Sequence, residues 1–351
     1  MNIEKNKDHL PFFSVLVPVY NKETEVAKCL DSILGQSFED IEVIAVDDGS
    51  EDNSYEVLLE YAEWDKRLKV IRKEKNSSLL SARITGMMAA TGKYVLFVDS
   101  DDYIDPDTCM GLYGYLSDNP VDVVEFEIVN EPGKDLLSGF YQNYKIEYGN
   151  YKKKTIDELI NKMLLLEYPH NICNKCCSID VIKRFLERTN VFYCNIYEDM
   201  YFSVSILSLA KSYGRINGLY YHYVRLNNGM TADTGRIVSN VENIMLSIKN
   251  INNGLSSFFN YEDSDFHSLI QQSTLLQVQE YANICMSCEK SLYEKMGALR
   301  IIDSYWDTDY AVKFEEPFEW YEKFHFSGNI TKIKMLASKM VGKIKMKKSV
   351  K

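Results

Sequence analysis

The sequence predicts an α/β protein with a Rossmann-like, mainly parallel sheet, followed by a smaller helical C-terminal domain. Short continuous apolar runs alternate with helical repeats over roughly the first hundred residues, and two of these runs end abruptly in clusters of aspartates. Helical periodicity dominates after about residue 226. Strands joined by helices form parallel sheets with right-handed crossovers, and because parallel strands run in one direction, their carboxyl ends should share one edge of the sheet.

The first predicted strand, residues 12–19, reads FFSVLVPV, a continuous apolar run typical of a strand buried on both faces. The helix that follows places Val26, Ala27, Leu30 and Ile33 on one side. The same alternation then repeats, which is the pattern of βαβ units. In order, the predicted elements are the strand 12–19, the helix 22–34, the strand 41–46, a helix starting near residue 53, the strand 68–72, the helix 79–90, the strand 94–98, a helix starting near Pro106 and the strand 121–129.

The pattern loosens beyond the strand at 121–129. Residues 133–154 are rich in Tyr, Gly, Lys and Asn, which predicts an irregular excursion. A helix at 156–167, a helix-like stretch at 179–187, the segment 196–210 and a strand at 219–224 complete the first domain. We therefore divide the chain into an α/β domain, residues 1–225, a helical domain, residues 226–326, and a tail, residues 327–351.

Composition and charge exclude several classes of protein. With 46% hydrophobic and 26% charged residues, the chain can bury a large core and is not globally disordered. Its net charge is −11, although the tail alone holds eight lysines, so the body is strongly acidic and unlike a general nucleic-acid binder. The first ten residues lack the apolar stretch of a signal peptide, and no run of about 18 apolar residues occurs. We expect a cytoplasmic protein.

Eight cysteines are irregularly placed, which suits a reducing compartment. Two pairs have metal-like spacing, Cys173 with Cys176 and Cys285 with Cys288. The pairs are far apart in the chain, and the second pair lies one turn apart in a helix-patterned stretch. The pattern favours buried free thiols, with a zinc site as the alternative.

The sequence Asp99-Ser-Asp101 follows a buried strand, where two carboxylates repel each other unless a partner compensates their charge. A divalent cation is such a partner, and its remaining positions would suit phosphate oxygens. An EF-hand interpretation fails, because Ile104 stands where that loop needs Gly and Met110 stands where it needs Glu. The alternative is that the aspartates only cap the next helix, a role that Asp105 can fill alone.

The second cluster, Asp47-Asp48-Gly49-Ser50, ends the strand at 41–46. Its glycine permits a tight turn, and a carboxylate at this edge can accept a hydrogen bond from a nucleotide base or ribose. Asp-Gly turns are common, so this cluster alone is weak evidence.

Several motifs occur in one order along the chain: VLVPVYN at 15–21, DSILGQSF at 31–38, VDDGS at 46–50, Asn76 followed by Ser81-Ala82-Arg83, Gly86, the stretch 90–92, FVDSDD at 97–102, Asn174-Lys175 and Glu198-Asp199. With these motifs the chain resembles bacterial family 2 glycosyltransferases of the glycosyltransferase A fold, from residue 15 to about 231. The resemblance implies an inverting, metal-dependent enzyme that moves a sugar from a nucleotide-sugar, a UDP-sugar above all, to a hydroxyl of a surface polysaccharide or lipid-linked glycan.

The resemblance also implies roles for individual residues. Asp199 would be the general base that deprotonates the acceptor hydroxyl. The other implied sets are Pro18, Tyr20 and Asp47 around the base and ribose, Asn76 and Arg83 along the ribose or phosphates, Asp99 and Asp101 on the ribose and Mn²⁺ or Mg²⁺, Arg225 at the diphosphate, and Asp102 and Glu198 as candidates on the acceptor side.

Some alternatives stay open. Glu198 and Asp199 could instead be exposed acids at a helix start, stabilised by the helix dipole. A non-catalytic sugar-nucleotide or glycan-binding subunit could use the same residues. A sugar nucleotidylyltransferase needs a Gly-rich loop after its first strand, and residues 18–24 contain no glycine. On the strand 219–224, His222 alternates in phase with its neighbours and is interpreted as packing.

The chain departs from the family at a few positions. Ser77 and Ser78 stand where the family usually has Gly-Gly, and Ile84 follows Arg83 in place of Asn. Cys176-Cys177 replaces Leu-Tyr, and residues 227–231 replace a loop that commonly reads Ser-Ile-Thr. These changes concern phosphate-loop flexibility and acceptor contacts more than the fold.

The tail, residues 327–351, has an apolar stripe at helical spacing edged with lysines. Such a stripe predicts an interfacial helix on an anionic membrane surface, at the inner face of the cell membrane. The alternative is a solvated terminus.

Overall fold

The computed structural model describes residues 10–131, 149–194, 196–224, 238–259, 264–288, 290, 292–306 and 308. The strands are β1 Phe13–Val19, β2 Ile41–Asp47, β3 Leu68–Arg72, β4 Tyr94–Phe97, β5 Tyr103–Ile104, β6 Val123–Glu131, β7 Gly149–Lys152, β8 Lys175–Ser178 and β9 Ser212–Val224. The helices are α1 Val26–Leu34, α2 Ser54–Trp64, α3 Leu79–Ala89, α4 Thr108–Asp118, α5 Lys153–Leu164, α6 Ile179–Leu186, α7 Glu198–Leu209, α8 Val241–Phe258, α9 Ser264–Ser287 and α10 Leu292–Trp306.

One sheet contains all of these strands in the order β3-β2-β1-β4-β8-β6-β9-β5, with β7 also paired to β9. The strands β3, β2, β1 and β4 run parallel, which confirms the prediction for the first hundred residues. Beyond them the sheet is mixed, because β8 runs antiparallel to both β4 and β6, whereas β6 and β9 are parallel.

Helices cover both faces of the sheet, which explains the continuous apolar runs in β1 and β2. In β1, Leu16 packs into one core together with apolar residues of α3, α5, α6 and α7. Its neighbours Val15 and Val17 pack into a second core with α1 and α4 on the other face. Successive side chains of a strand point to opposite faces of the sheet. Because helices cover both faces, the side chains on each face of β1 are buried.

The segment after β4 differs from its prediction. The helix predicted near Pro106 begins at Thr108, and its N-cap residue is Asp107. Oδ1 of Asp105, the residue that the alternative interpretation gave a capping role, lies 2.7 Å from Nε2 of His222. The His222 ring also stacks on Tyr103 at a centroid distance of 4.2 Å, which agrees with the packing role.

A third core is formed by α8, α9 and α10. Helix α8 also contributes Ile251 and Leu255 to the core under the sheet, so it contacts both parts. The division at residue 225 stays a prediction, and the tail 327–351 lies outside the described residues. Within the described part of the chain, every helix is too short or too polar to span a membrane.

Candidate functional site

Both acidic clusters lie at the same edge of the sheet. Strands β2 and β4 flank β1 and run parallel to it, so their carboxyl ends meet there. We call residues 47–50, after β2, the first acidic loop, and residues 99–102, after β4, the second acidic loop. Ligands of open parallel sheets bind at this edge.

In the first acidic loop, Asp48 holds the backbone of a neighbouring segment. Its Oδ2 accepts hydrogen bonds from the backbone N–H groups of Ser77 and Ser78 at 3.0 and 2.9 Å. Its Oδ1 forms an ion pair with Nζ of Lys73 at 2.6 Å, and the same Nζ donates to Oγ of Ser81 at 2.8 Å. Because Asp48 is buried, these bonds fix the segment that leads into α3.

The segment at 75–78 packs directly on Gly49. This glycine has a φ of 75°, and a Cβ added there would lie 2.8 Å from the carbonyl carbon of Lys75 and 2.9 Å from the nitrogen of Asn76. Ser78 has a φ of 93°, a conformation that favours glycine, so the serine adopts the backbone expected of the residue it replaces. Asn76 is exposed, and its Oδ1 accepts a bond from the Ser78 N–H at 3.2 Å.

The residues expected around the base and ribose differ in exposure. Pro18 is buried within β1, Tyr20 is 39% exposed, and Asp47 is fully buried at the end of β2. One oxygen of Asp47 accepts from the Ser50 N–H at 3.2 Å, whereas Oδ2 receives no hydrogen bond from the described residues and lies 3.4 Å from Nε of Arg72. A ligand would reach Oδ2 only after the half-exposed Arg72 side chain moved aside.

Arg83 joins the second acidic loop to the start of α7. Its Nη2 donates to Oδ1 of Asp99 at 2.7 Å, and its Nη1 donates to Asp199 at 2.6 Å and to Glu198 at 3.2 Å. The side chain is 1% exposed. Both of its amino groups already donate to carboxylates, which differs from the contact with ribose or phosphate that the resemblance implies. Arg83 thus fixes the predicted metal-side carboxylate relative to the predicted base.

Burial shifts the protonation of the two acids on α7. Burial and the nearby Asp199 charge raise the pKa of Glu198 to about 7, and Arg83 opposes this change. Burial also raises the pKa of Asp199 above its ordinary value, again against the effect of Arg83. A raised pKa makes a carboxylate a stronger base. Since the Asp199 side chain is 22% exposed, it can meet an acceptor hydroxyl.

Asp101 is paired with Lys22, whose Nζ lies 2.7 Å from Oδ2. Asp99 and Asp101 each keep a second oxygen to which no described residue donates, and their side chains are 25% and 28% exposed. Mg²⁺ and Mn²⁺ are commonly held by one or two carboxylates together with phosphate oxygens of a ligand. The two aspartates fit such a set, although the described residues contain no cluster of three ligating side chains.

Asp102 does not take the acceptor-side position expected of it. Its Oδ2 accepts from the Tyr221 hydroxyl at 2.6 Å, and its Oδ1 accepts from the Val224 N–H at 2.7 Å. The residue is 2% exposed, so it ties the second acidic loop to β9 and cannot contact an acceptor. Glu198 is similarly buried against Arg83, which does not support its acceptor-side role either.

Three residues at this edge were not among the predicted site residues: Lys22, Asp48 and Tyr221. A signal existed for Lys22, because it follows β1 by three residues and must lie at the edge where the acidic loops lie. The Tyr221 hydroxyl accepts from the Asp99 N–H at 3.2 Å, a contact across more than a hundred residues that no local pattern predicts. Arg225 lies outside the described residues.

Of the two cysteine pairs, the first includes Cys173, which lies near the second acidic loop, where the charges of Asp99, Asp199 and Asp102 add to burial in raising its pKa. All eight cysteines are buried and unpaired, as expected for core thiols. Cys173 and Cys176 lie in the core that β1 shares with α1 and α4, whereas Cys285 and Cys288 lie in the core formed by α8, α9 and α10.

Residues 14–188 match the family model described as Glycosyl transferase family 2. Among curated proteins, the putative glycosyltransferase EpsH of Bacillus subtilis is 41% identical over 140 residues, which cover 38% of this chain and 40% of EpsH. The minor teichoic acid biosynthesis protein GgaB of B. subtilis is 27% identical over 331 residues, 88% of this chain and 34% of GgaB. The chain thus spans about a third to two-fifths of the length of these relatives.

Solved structures share the fold. TarS residues 1–349 of S. aureus, in complex with UDP-GlcNAc, superposes with a TM-score of 0.54 at 20% identity over 84% of this chain and 89% of that one. The mannosyltransferase PcManGT of Pyrobaculum calidifontis, in complex with GDP-Man and Mn²⁺, gives 0.50 at 14% identity over 90% and 84%. At these identities the likeness establishes the arrangement of the chain and nothing about its ligands.

Proposed function

The chain belongs to glycosyltransferase family 2 and has the glycosyltransferase A fold, and from that premise we propose that it transfers a sugar, with inversion, from a UDP-sugar to a hydroxyl group. The acceptor that we propose is a surface polysaccharide or lipid-linked glycan of the cell envelope. The name of GgaB, a teichoic acid biosynthesis protein, supports this acceptor, and the complexes of the structural neighbour TarS with UDP and UDP-GlcNAc support the donor.

A single observation carries the proposal: one buried guanidinium, that of Arg83, holds Asp99 and Asp199 from two sides. Asp99 belongs to the loop where the diphosphate would lie, and Asp199 is the proposed base. An enzyme that joins an acceptor hydroxyl to an anomeric carbon needs both groups at a fixed spacing. We therefore assign Arg83 a positioning role in place of the phosphate contact.

In the proposed reaction, Asp199 removes the proton of the acceptor hydroxyl as its oxygen attacks the anomeric carbon. The new C–O bond forms while the bond to the diphosphate oxygen breaks, and UDP leaves with that electron pair. Because attack and departure occur on opposite faces, the anomeric configuration inverts. The raised pKa of Asp199 favours proton transfer to it.

Asp99 and Asp101 would hold the Mn²⁺ or Mg²⁺ ion. When bound, that ion would neutralise the negative charge that grows on the leaving diphosphate. On the nucleotide side, Tyr20 and Asn76 are exposed and would contact the base and ribose next to Pro18, and Asp47 would join them once Arg72 leaves its Oδ2.

Three further parts of the proposal rest on the sequence. Residues 1–225 would form the catalytic domain and residues 226–326 a helical domain. Arg225 would meet the diphosphate. The lysine-edged tail, residues 327–351, would bind an anionic membrane and bring the enzyme to a lipid-linked acceptor. Removing the tail should abolish sedimentation with anionic vesicles, and unchanged sedimentation would contradict that part.

The proposal is tested by UDP release from a panel of UDP-sugars with Mn²⁺ and glycan acceptors. Asp199→Asn should lower turnover at least about 100-fold while UDP binding stays within about twofold, because the base acts in the chemical step. Asp157→Asn is the matched control, since Asp157 is an exposed residue on α5 that pairs with Lys153. A wild type that binds UDP but turns over no donor would favour the non-catalytic binding subunit, and full activity of Asp199→Asn would exclude Asp199 as the base.

A further inference from the structure

The two aspartates proposed to hold the divalent cation are each paired with a positively charged side chain, and these two side chains differ in how deeply they are buried. Asp99 is bound by Arg83, which is 1% exposed and donates to two other carboxylates as well. Asp101 is bound by Lys22, and both side chains of this pair are about a quarter exposed. Among the described residues, Lys22 is the only ion-pair partner of Asp101. One of these cations is therefore fixed, whereas the other is held by one exposed contact.

The backbone of Lys22 is fixed by two hydrogen bonds, whereas its ammonium group is held by the ion pair with Asp101. Its N–H donates to Oγ of Ser54 at 2.7 Å, and its carbonyl accepts from the Val26 N–H at 3.0 Å at the start of α1. Only the four-carbon stem can therefore move the ammonium group. A stem of that kind lets a lysine exchange one anion for another without a change in the fold.

We propose that Lys22 is an exchangeable counter-ion of the candidate metal site, which neutralises Asp101 until a divalent cation displaces it. The ammonium group and the metal ion compete for the same carboxylate, so Lys22 lowers the affinity of the empty enzyme for the cation. Once a nucleoside diphosphate is bound, the displaced ammonium has a second anion to pair with, and the competition weakens. Lys22 thereby makes cation binding depend on the donor.

This inference rests on the proposed function, because it assumes the divalent cation of that function. It predicts a change in the affinity for Mn²⁺, which can be measured without turnover. Mn²⁺ affinity of the full chain is measured by electron paramagnetic resonance of free Mn²⁺, with and without UDP. Without UDP, Lys22→Met should bind Mn²⁺ roughly two- to fivefold more tightly than the wild type, the scale of one partly exposed ion pair. With UDP, that gain should shrink or reverse.

Lys69→Met is the matched control. Lys69 forms an ion pair of similar length, 2.6 Å, with Glu42, but near the start of β2, at the opposite edge of the sheet. Both variants remove one positive charge, so an equal change in both would show a general effect of net charge and would overturn the inference. Lys22→Arg keeps the charge and should keep the affinity near that of the wild type.

A second comparison isolates the carboxylate. In an Asp101→Asn background, Lys22→Met should no longer change Mn²⁺ affinity, because the contact between the two side chains is already gone. If the gain persists, Lys22 does not act through Asp101 and the inference fails. It also fails if Lys22→Met binds Mn²⁺ no more tightly than the wild type without UDP. If the wild type nevertheless binds Mn²⁺ in the presence of UDP, the metal dependence of the proposed function still stands. If neither the wild type nor Lys22→Met binds Mn²⁺ with UDP, that metal dependence is contradicted as well.

Discussion

The two acidic loops look alike in sequence but differ in how far their carboxylates are exposed and in what these carboxylates bind. In the first acidic loop, Asp47 and Asp48 are buried. They accept hydrogen bonds from the backbone at Ser50, Ser77 and Ser78 and also pair with Arg72 and Lys73. In the second, Asp99 and Asp101 are partly exposed and pair with side-chain cations. The first loop builds the edge of the sheet, and the second presents charged oxygens at it.

The first acidic loop therefore has a mainly structural role and the second a mainly chemical role at the same edge of the sheet. Changes in the first loop should act through the backbone, and steric changes there should cost folding free energy. Changes around the second loop should act through charge, and their effects should depend on pH and on which cation is present. Four substitutions test that distinction.

The largest effect is expected for Arg83→Met. This change leaves three carboxylates near each other without their shared cation, and loss of one partner of a buried ion pair commonly costs about 3–5 kcal/mol. Urea unfolding measures the loss. Arg83→Lys keeps the charge but cannot span the carboxylates, so its loss should be smaller. Equal losses in the two variants would show that charge is not the reason.

Gly49→Ala is expected to cost about 2–4 kcal/mol, because it places a Cβ against the backbone of Lys75 and Asn76 at a positive φ. Gly114→Ala is the control. Gly114 lies within α4 and a Cβ there meets no atom within 4 Å, so the change should stabilise the protein by about 0.5–1 kcal/mol. Thermal melts of both proteins check this pair, and a tolerated Gly49→Ala would disprove the close packing.

Glu198→Gln should alter how stability depends on pH. With a pKa near 7 in the folded protein, Glu198 binds more protons than in the unfolded chain between about pH 5 and 7, so the free energy of unfolding falls as pH rises. The wild type should therefore lose on the order of 1–2 kcal/mol more than Glu198→Gln across that range. Denaturant unfolding at several pH values measures the difference, and parallel profiles would contradict it.

The smallest effect is expected for Ser78→Gly. Glycine removes the strain of a φ of 93°, at the cost of a more flexible unfolded chain, and the Asp48 bond to the N–H remains. A gain of about 0.5–1 kcal/mol is expected by chemical denaturation. Ser77→Gly is the control, because Ser77 has no positive φ and should lose a few tenths of a kcal/mol. A loss in Ser78→Gly would mean that the serine side chain stabilises the turn.

Local patterns predicted the parallel half of the sheet well. Strands β1, β2 and β4 are buried on both faces, and such strands are continuous apolar runs in the sequence. They did not predict β8, a four-residue strand inserted between β4 and β6, since its Lys-Cys-Cys-Ser sequence has no strand periodicity. Nor did they give the full length of β9, which begins at Ser212. Pairing across long stretches of chain decides such elements.

At the site, the sequence located the edge but not the partners. It could not show which of four consecutive polar residues turns inward, so Asp102 was placed on the acceptor side, whereas it bonds to Tyr221 and Val224. For Arg83 it implied a ligand contact, but the three carboxylates that bind this residue come from two distant segments. Such contacts exist only once the chain has folded.

The buried cysteines give this protein a built-in reporter of local opening. Burial raises the pKa of Cys29, Cys177 and Cys285, so in the closed state these thiols are both shielded and protonated. They belong to three different cores. Reaction with a thiol-specific label, followed by mass spectrometry, would therefore time the opening of each core in the unmodified protein, with no engineered probe.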